Sequence, residues 1–319
     1  MKFKIPKIIF GKFIRLISEI LLKFGIITNS PFLCAKAWSL VIFEMNYLNS
    51  YFFYKRSSEN KNKKILVLYR VYGEHDLGYV KNLEENNFNF LFFPRRYIKT
   101  IYENFFSSFE EKLSDDNYFS NNQDIEKAKD KYQKFLIKIL KILNNSNTLK
   151  GIISFNFRYH SEKELHKACE KIGIKFIVCQ KESLLFKGEK NEYIKINKKN
   201  GKFSGSNIIV YNENFKKLLV ENSICEENKI YVTGMPRADY YFQNVSNSKK
   251  NHILFFIPTV RQPYGYKGNF FNKEDLTTKV TQTLLDFAEK NKKDKIIFKF
   301  KIYYATEIAL EKLIKKKKF

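Results

Sequence analysis

The sequence is poor in cysteine, and its cysteines follow no spacing that a metal site or a disulfide framework requires. Cys34, Cys169, Cys179 and Cys225 include no CxxC pair. Cys169 and Cys179 lie within apolar, periodic stretches, which is typical of small buried thiols in a reducing compartment. We therefore predict a cytoplasmic location, no bound metal and no cofactor.

The sequence also has no segment with the roughly 18 uninterrupted apolar residues that a membrane-spanning helix needs. Residues 8–25 instead form an amphipathic pattern at helical spacing. Its apolar side is predicted to hold Ile9, Phe13, Leu16, Ile17, Ile20, Leu21 and Phe24, and its charged side Lys12, Arg15, Glu19 and Lys23. The same charges interrupt any signal-peptide core. The pattern suits either a helix on the protein's own core or one in a membrane interface, and a second apolar stretch before residue 54 favours the membrane.

Acidic residues are few relative to basic ones. The chain has 33 Asp and Glu against 58 Lys and Arg, and its net charge is +25. A/T-biased codons would account for part of this excess, and the rest favours anionic partners. We predict that residues 1–60 are a helical, membrane-associating segment. It would bind an anionic surface on the inner face of the plasma membrane.

From residue 61 onwards the pattern alternates between strands and helices. Apolar runs such as ILVLYRV (65–71) and FNFLFFP (88–94) indicate strands covered on both faces. Strands alternating with helices predict an α/β fold with a parallel, doubly wound sheet. The polar stretch QNVSNSKKN (243–251) marks a boundary, so we predict one complete Rossmann-like domain at 61–245 and a partial one at 246–319.

The stretch KIYVTGMPRADYY (229–241) predicts a strand, a tight turn and a helix start. Gly234 permits the turn, and Pro236 ends the strand. Arg237 and Asp239 would then lie at the carboxyl end of a strand, where open α/β sheets bind ligands. The alternative is an Arg237–Asp239 pair that is simply solvated.

These segments, with ILFFIPTVRQP (253–263), resemble GT-B-type transferases of surface-polysaccharide assembly. The nearest group is related to CDP-glycerol glycerophosphotransferases and capsular polysaccharide transferases. Its V-x-G-x-P-R-x-D segment matches residues 232–239, and its P-T-x-R segment matches 258–261. The resemblance covers about residues 60–301. It implies an acceptor domain, then a donor domain whose Thr259 and Arg261 contact the donor's phosphates together with Arg237.

The sequence departs from this group near its end. A later strand in the group ends in a histidine that faces the donor, whereas Lys301 stands there in IIFKFKIYY. A lysine contacts phosphate but does not act as a neutral base without a large pKa shift. The resemblance thus implies a donor domain that lacks its later strands.

Two histidines are candidates for the general base that deprotonates an acceptor hydroxyl. His75 follows the first strand between Glu74 and Asp76, and its alternative is an exposed loop residue. His160 follows another strand, near Arg158, and precedes a helix that Ser161 and Glu164 are predicted to cap. His166 and His252 are predicted to be structural.

A further pair of candidate site residues follows the strand at 175–180, and the sequence has no P-loop. Lys181 and Glu182 resemble a Lys-Glu pair of the same group, and their alternative is a surface ion pair. GEHDLG is not a P-loop, because no Lys-Ser or Lys-Thr follows its second glycine. The acidic pair in SDDN (114–117) is assigned to a polar linker.

The resemblance implies a transferase that moves a sugar or polyol phosphate onto a cell-surface glycan. The partners would be a nucleotide-activated donor and a glycan or lipid-linked acceptor. The alternatives are an inactive remnant of such an enzyme and a basic nucleic-acid-binding protein. Nucleic acid is disfavoured because the lysines are dispersed and no RRM, KH or helix-turn-helix signature is found.

Overall fold

The computed structural model describes residues 7–48, 63–69, 88–145, 147–181, 190–235, 252–257, 265–266, 269–270, 273–291 and 295–300. Contacts divide the chain into two units, Met1–Asn244 and Val245–Phe319. The helices in the described ranges are α1 (Lys7–Ile27), α2 (Pro31–Phe43), α3 (Arg96–Phe106), α4 (Gln123–Leu143), α5 (Lys163–Lys171), α6 (Lys190–Asn200), α7 (Glu213–Glu221) and α8 (Lys273–Lys290). The strands are β1 (Lys63–Tyr69), β2 (Phe88–Pro94), β3 (Leu149–Ser154), β4 (Lys175–Cys179), β5 (Asn207–Val210), β6 (Ile230–Val232), β7 (His252–Ile257), β8 (Gly265–Tyr266), β9 (Asn269–Phe270) and β10 (Lys295–Phe300).

The first unit is built on one six-stranded sheet. Its strand order is β2-β1-β3-β4-β5-β6, and every neighbouring pair is parallel. The middle of β1 is an apolar run in which Ile65 to Leu68 are all buried, as expected for a strand covered on both faces. The predicted α/β class with a parallel sheet is confirmed.

The main hydrophobic core lies on one face of this sheet. Inward side chains of α2, α3, α4, α5 and α7 join alternate strand residues such as Leu66, Phe93 and Ile152 in a single cluster. The opposite face carries a smaller buried cluster made of Ile65, Val67, Phe92, Ile153 and Phe155. The two sets alternate along the strands because successive side chains point to opposite faces.

Helices α1 and α2 form a close hairpin that belongs to the same unit. A Cβ on Gly25 would lie 2.9 Å from the side chains of Leu33 and Cys34, so glycine permits the helices to approach. The hydroxyl of Ser30 caps α2 by accepting a hydrogen bond from the backbone N–H of Leu33. Trp38 is completely buried, and its ring centroid lies 4.7 Å from that of Phe93 in β2. A five-residue π-helical turn, Glu44–Leu48, follows α2.

Within the ranges the structure describes, none of the helices is both long enough and apolar enough to cross a membrane.

The second unit has a small α/β pattern of its own. Strands β7 and β10 pair in parallel from His252 with Lys295 to Ile257 with Phe300. Helix α8 lies between them in the sequence, and β8 and β9 form a short antiparallel pair. A parallel pair joined through a helix is the βαβ arrangement that the sequence pattern predicts for this region.

Candidate active site

The order in which the chain adds strands to the sheet reverses between β1 and β3. The chain runs from β1 outward to β2 and then returns past β1 to β3, after which β4, β5 and β6 follow in order. In open parallel sheets, ligands bind outside the carboxyl ends of the strands at such a switch point. The segment after β3 borders this position.

The segment after β3 is held by side chains beneath it. The buried amide of Asn156 accepts a hydrogen bond from the backbone N–H of Arg158 at 2.9 Å. The side-chain carbonyl of Gln180, at the end of β4, accepts one from the backbone N–H of Phe157 at 3.1 Å. A single 3₁₀ turn, His160–Glu162, then leads into α5. These bonds satisfy buried backbone groups and give the loop a defined shape.

The most informative contact of this segment is between His160 and Asp115. The Oδ1 atom of Asp115 lies 2.6 Å from Nδ1 of His160, and it also accepts the backbone N–H of His160 at 2.9 Å. The ring of Tyr102 packs edge-on against the imidazole at 4.9 Å. The side chain of His160 keeps a fifth of its surface exposed. An imidazole held this way is oriented but still open to solvent.

The carboxyl group of Asp115 is suited to hold the imidazole. Burial alone would raise its pKa, but the hydrogen bonds and the charge of His160 outweigh burial, and the pKa of Asp115 is lowered from its ordinary value. An ionised carboxylate accepts the Nδ1 proton, which leaves Nε2 as the atom that takes up a proton. This is the arrangement of a general base and its orienting acid.

A buried ion pair fixes the base of the same loop. Nε of Arg95, the residue after β2, donates to Oε1 of the fully buried Glu162. The hydroxyl of Ser154 donates to the other oxygen of Glu162 at 2.5 Å. Burial, which outweighs both partners, raises the pKa of Glu162. The guanidinium of Arg95 also lies 3.5 Å from the ring centroid of Tyr159 and donates to Ser161. The ends of β2 and β3 are thereby joined.

Positive side chains gather at the carboxyl ends of β3 and β4. Arg158 lies 3.4 Å from Asp116 and stacks over Tyr193, and the backbone of Lys181 donates to Phe155. The amino group of Lys163 is buried and has no hydrogen-bond partner among the described residues. Burial, followed by repulsion from Lys167 and Arg158, lowers the pKa of Lys163 to about 7. Basic residues here stand beside acidic partners, Arg158 with Asp116 and Arg95 with Glu162.

The structure thus brings Arg158, His160 and Lys181 to one edge of the sheet. Gly234 adopts φ +77 after β6, a left-handed backbone conformation that glycine favours, although a Cβ at this position would meet no atom within 4 Å. β6 is the outer strand, three positions from β3. The remaining predicted site residues, His75, Glu182, Arg237, Asp239, Thr259, Arg261 and Lys301, lie outside the described residues.

Two expectations about this region were wrong. Ser161 does not cap α5: it lies inside the 3₁₀ turn, the N-cap is Glu162 without a side-chain bond, and Glu164 is buried against Tyr118 and Gln133. The SDDN stretch is not only a linker, because its turn delivers Asp115 to His160. The sequence signal for this was the acidic pair itself, whose partner lies 45 residues away.

No protein-family model matches the sequence, and no curated protein sequence matches it either. Among solved structures, one similar chain is the UDP-N-acetylglucosamine 2-epimerase from Rickettsia bellii, with a TM-score of 0.41 and 13% sequence identity. The match covers 78% of this chain and 64% of that one, so this chain spans less than two thirds of the epimerase's length. A similarity of this size assigns neither a family nor an activity to the chain.

Proposed function

We propose that the chain is a transferase that moves a sugar or polyol phosphate from a nucleotide-activated donor onto a cell-surface glycan. The glycan would be capsule, a teichoic-acid-like polymer or lipopolysaccharide. The observation that carries the proposal is the His160–Asp115 pair at the carboxyl end of β3, beside the switch point of a parallel sheet. We also propose that the chain has a GT-B-like arrangement of two domains and is related to the CDP-glycerol glycerophosphotransferase group.

In this proposal His160 acts as the base. Nε2 takes the proton of the acceptor hydroxyl as the oxygen forms its bond to the transferred group. The bond from that group to the donor's phosphate oxygen breaks, and the nucleotide leaves with the electron pair. The ionised carboxylate of Asp115, 2.6 Å from Nδ1, stabilises the imidazolium that forms. His75 is the alternative base, with Glu182 as a further candidate.

Cations would stabilise the negative charge that develops on the leaving nucleotide. Arg158 and Lys181 belong to the edge that carries His160. The resemblance implies that Arg237, Arg261 and Lys301 contact the donor's phosphates. Gly234, Asp239 and Thr259 belong to the same matched motifs. A lipid-linked acceptor would lie at a bilayer surface, so the peripheral membrane association predicted for residues 1–60 belongs to the same function.

The test is nucleotide release from a panel of UDP- and CDP-linked sugars and polyol phosphates, with glycan acceptors, on the full chain. His160→Asn should lower kcat about a hundredfold or more, which is the usual contribution of a general base. Asp115→Asn should lower kcat with little change in KM, because it acts through His160. Asp130→Asn is the matched control, since its carboxylate lies in an exposed pair with Lys134.

Calorimetric titration completes the test. Arg261→Ala should weaken donor binding relative to the wild type. Full activity of His160→Asn would exclude it as the base, and tight donor binding by Arg261→Ala would place the phosphate site elsewhere. No turnover with donor binding retained would favour the inactive remnant. Tight binding of single-stranded RNA without donor binding would favour the nucleic-acid alternative.

A further inference from the structure

Helix α1 exposes a continuous apolar stripe on its outward side. The residues recur every three or four positions, so they lie on one helix face, and each is between 55% and 80% exposed. They are Ile9, Phe13, Leu16, Ile20, Phe24 and Ile27. At 1.5 Å per residue the stripe is about 27 Å long. We call this set the outward stripe. Large apolar side chains exposed in a row mark an interaction surface.

The opposite face of α1 is fixed to the rest of the unit. Ile14, Ser18 and Leu22 are buried there. The hydroxyl of Ser18 lies 2.8 Å from that of Tyr97 in α3. Arg15, on the flank of the helix, makes two hydrogen bonds of 2.8 and 2.9 Å with the buried carboxylate of Glu44. The helix is thus apolar on two opposite faces, and only one of them is used by the protein's own core.

The charges beside the outward stripe are positive. Lys12, Lys23 and Lys36 are exposed. The two acidic side chains of residues 7–48 are already paired, Glu19 with Arg96 and Glu44 with Arg15. A surface that joins exposed apolar residues to exposed lysines is complementary to a bilayer with anionic headgroups. A second copy of the chain, which carries +25, would bring like charges together instead.

We infer that α1 docks on an anionic lipid bilayer through the outward stripe while its inner face stays packed on the domain. The lipid-facing residues are therefore those of the stripe, and Ile14 and Leu22 keep their places in the protein. This deepens the membrane association in the proposed function by naming the helix face and the lipid class. It does not depend on transfer activity.

The first experiment is co-sedimentation of the full chain with vesicles, without any donor. Vesicles of phosphatidylcholine with phosphatidylglycerol should bind the wild type, and pure phosphatidylcholine should bind it less. Added salt should weaken the binding, because headgroup attraction is screened. The double variant Leu16→Gln, Ile20→Gln should bind anionic vesicles roughly tenfold more weakly or worse, because it loses two inserted apolar side chains.

The matched control is Phe119→Gln with Tyr231→Gln, which removes two side chains that are 61% and 55% exposed elsewhere in the unit. It should bind vesicles like the wild type. All four positions are exposed, so the variants should unfold at the wild-type denaturant concentration. Equal vesicle binding by the stripe variant and the wild type would overturn the inference, as would recovery of the wild type in the supernatant with anionic vesicles.

The second experiment asks whether α1 and α2 stay on the domain. The chain has one tryptophan, Trp38, and it is buried in α2 against Phe93. Vesicles made with brominated lipids should leave its fluorescence unchanged, since the core keeps it away from the acyl chains. Strong quenching on binding would show that the hairpin leaves the domain, and this would overturn the docked geometry. Self-association without lipid that the stripe variant abolishes would assign the face to a second copy.

The outcome is separate from that of the transferase proposal. Vesicle binding through the stripe without nucleotide release would leave this inference standing and defeat the transferase. Nucleotide release without vesicle binding would do the reverse.

Discussion

Two buried ionisable residues of α5 have environments that favour their neutral forms. His166 lies between the rings of Phe176 and Phe203, at centroid distances of 4.1 and 5.5 Å. Neither of its ring nitrogens has a hydrogen-bond partner among the described residues. Burial first, and then the charges of Lys163 and Lys167, lower its pKa well below the ordinary value. His166 was predicted from the sequence to be structural, and its packing agrees with that role.

The consequence for His166 is a loss of stability in acid. The unfolded chain takes up a proton at an ordinary pKa of about 6.5, whereas the folded chain does not. The free energy of unfolding should therefore fall as the pH drops below about 6.5. In urea titrations at pH 7.5 and 5.5, His166→Leu should reduce this difference by about 1 kcal/mol. An identical difference in both proteins would contradict the assignment.

Lys163 gives the same kind of dependence in a higher pH range. Its pKa is lowered from 10.5 to about 7, chiefly by burial. Between these two values the unfolded chain holds a proton that the folded chain has lost, so stability should rise with pH across this interval. Wild type should gain about 2 kcal/mol between pH 7 and 9, and Lys163→Met should gain far less. Denaturant titration at both pH values measures the difference, and parallel gains would refute it.

At the scale of elements, the pair of adjacent arginines that begins α3 offers a direct comparison. Arg95 is the partner of the fully buried Glu162, whereas the pair between Arg96 and Glu19 is nearly half exposed at both side chains. Removing one partner of a buried pair leaves a buried charge, and the cost is about 3–5 kcal/mol. An exposed pair contributes about 0–1 kcal/mol.

We therefore expect Arg95→Ala to destabilise the protein by about 3 kcal/mol or more, and Arg96→Ala by less than about 1 kcal/mol. Urea unfolding of both variants at pH 7 is the measurement. Similar costs for the two substitutions would show that the Arg95–Glu162 pair does not hold the ends of β2 and β3.

The strands of the first unit could be predicted from the sequence because each is a short apolar run between polar segments. The runs at 65–71 and 88–94 fall on β1 and β2. Helices α3 and α6 were not predicted. Arg96–Phe106 does have an apolar face at helical spacing, formed by Tyr97, Ile98, Ile101, Tyr102 and Phe106, and the prediction missed it. Lys190–Asn200 is largely polar and shows no plain apolar stripe. Periodicity detects a helix only where its core face is regular.

Only one member of the His160–Asp115 pair could be predicted from the sequence. A strand followed by His160 is a local pattern, and it placed the histidine at the sheet's carboxyl edge. Asp115 approaches it through a turn between α3 and α4. The acidic pair is visible in the sequence, but no local pattern shows that its partner lies 45 residues away. Likewise, periodicity predicted one apolar side of α1, including Ile9, Phe13 and Leu16, but it does not tell which face of the helix the domain covers.

At the scale of the whole molecule, the two units differ in how much core they have. The first encloses a large cluster beneath a six-stranded sheet. In the described part of the second, β7 and β10 form one parallel pair. Among the described residues, the buried hydrophobic side chains other than Leu285 all lie in the first unit.

The packing of α2 also bears on how the chain is made. Its apolar residues leave the ribosome early, yet their partners are Phe93 in β2 and residues of α4, which ends at Leu143. At about 5–20 residues per second, the hundred residues from Phe43 to Leu143 take roughly 5–20 s to synthesise. During that interval Trp38 and its neighbours are not yet packed against all of their native partners. The nascent hairpin therefore exposes apolar side chains for several seconds before the core that covers them is complete.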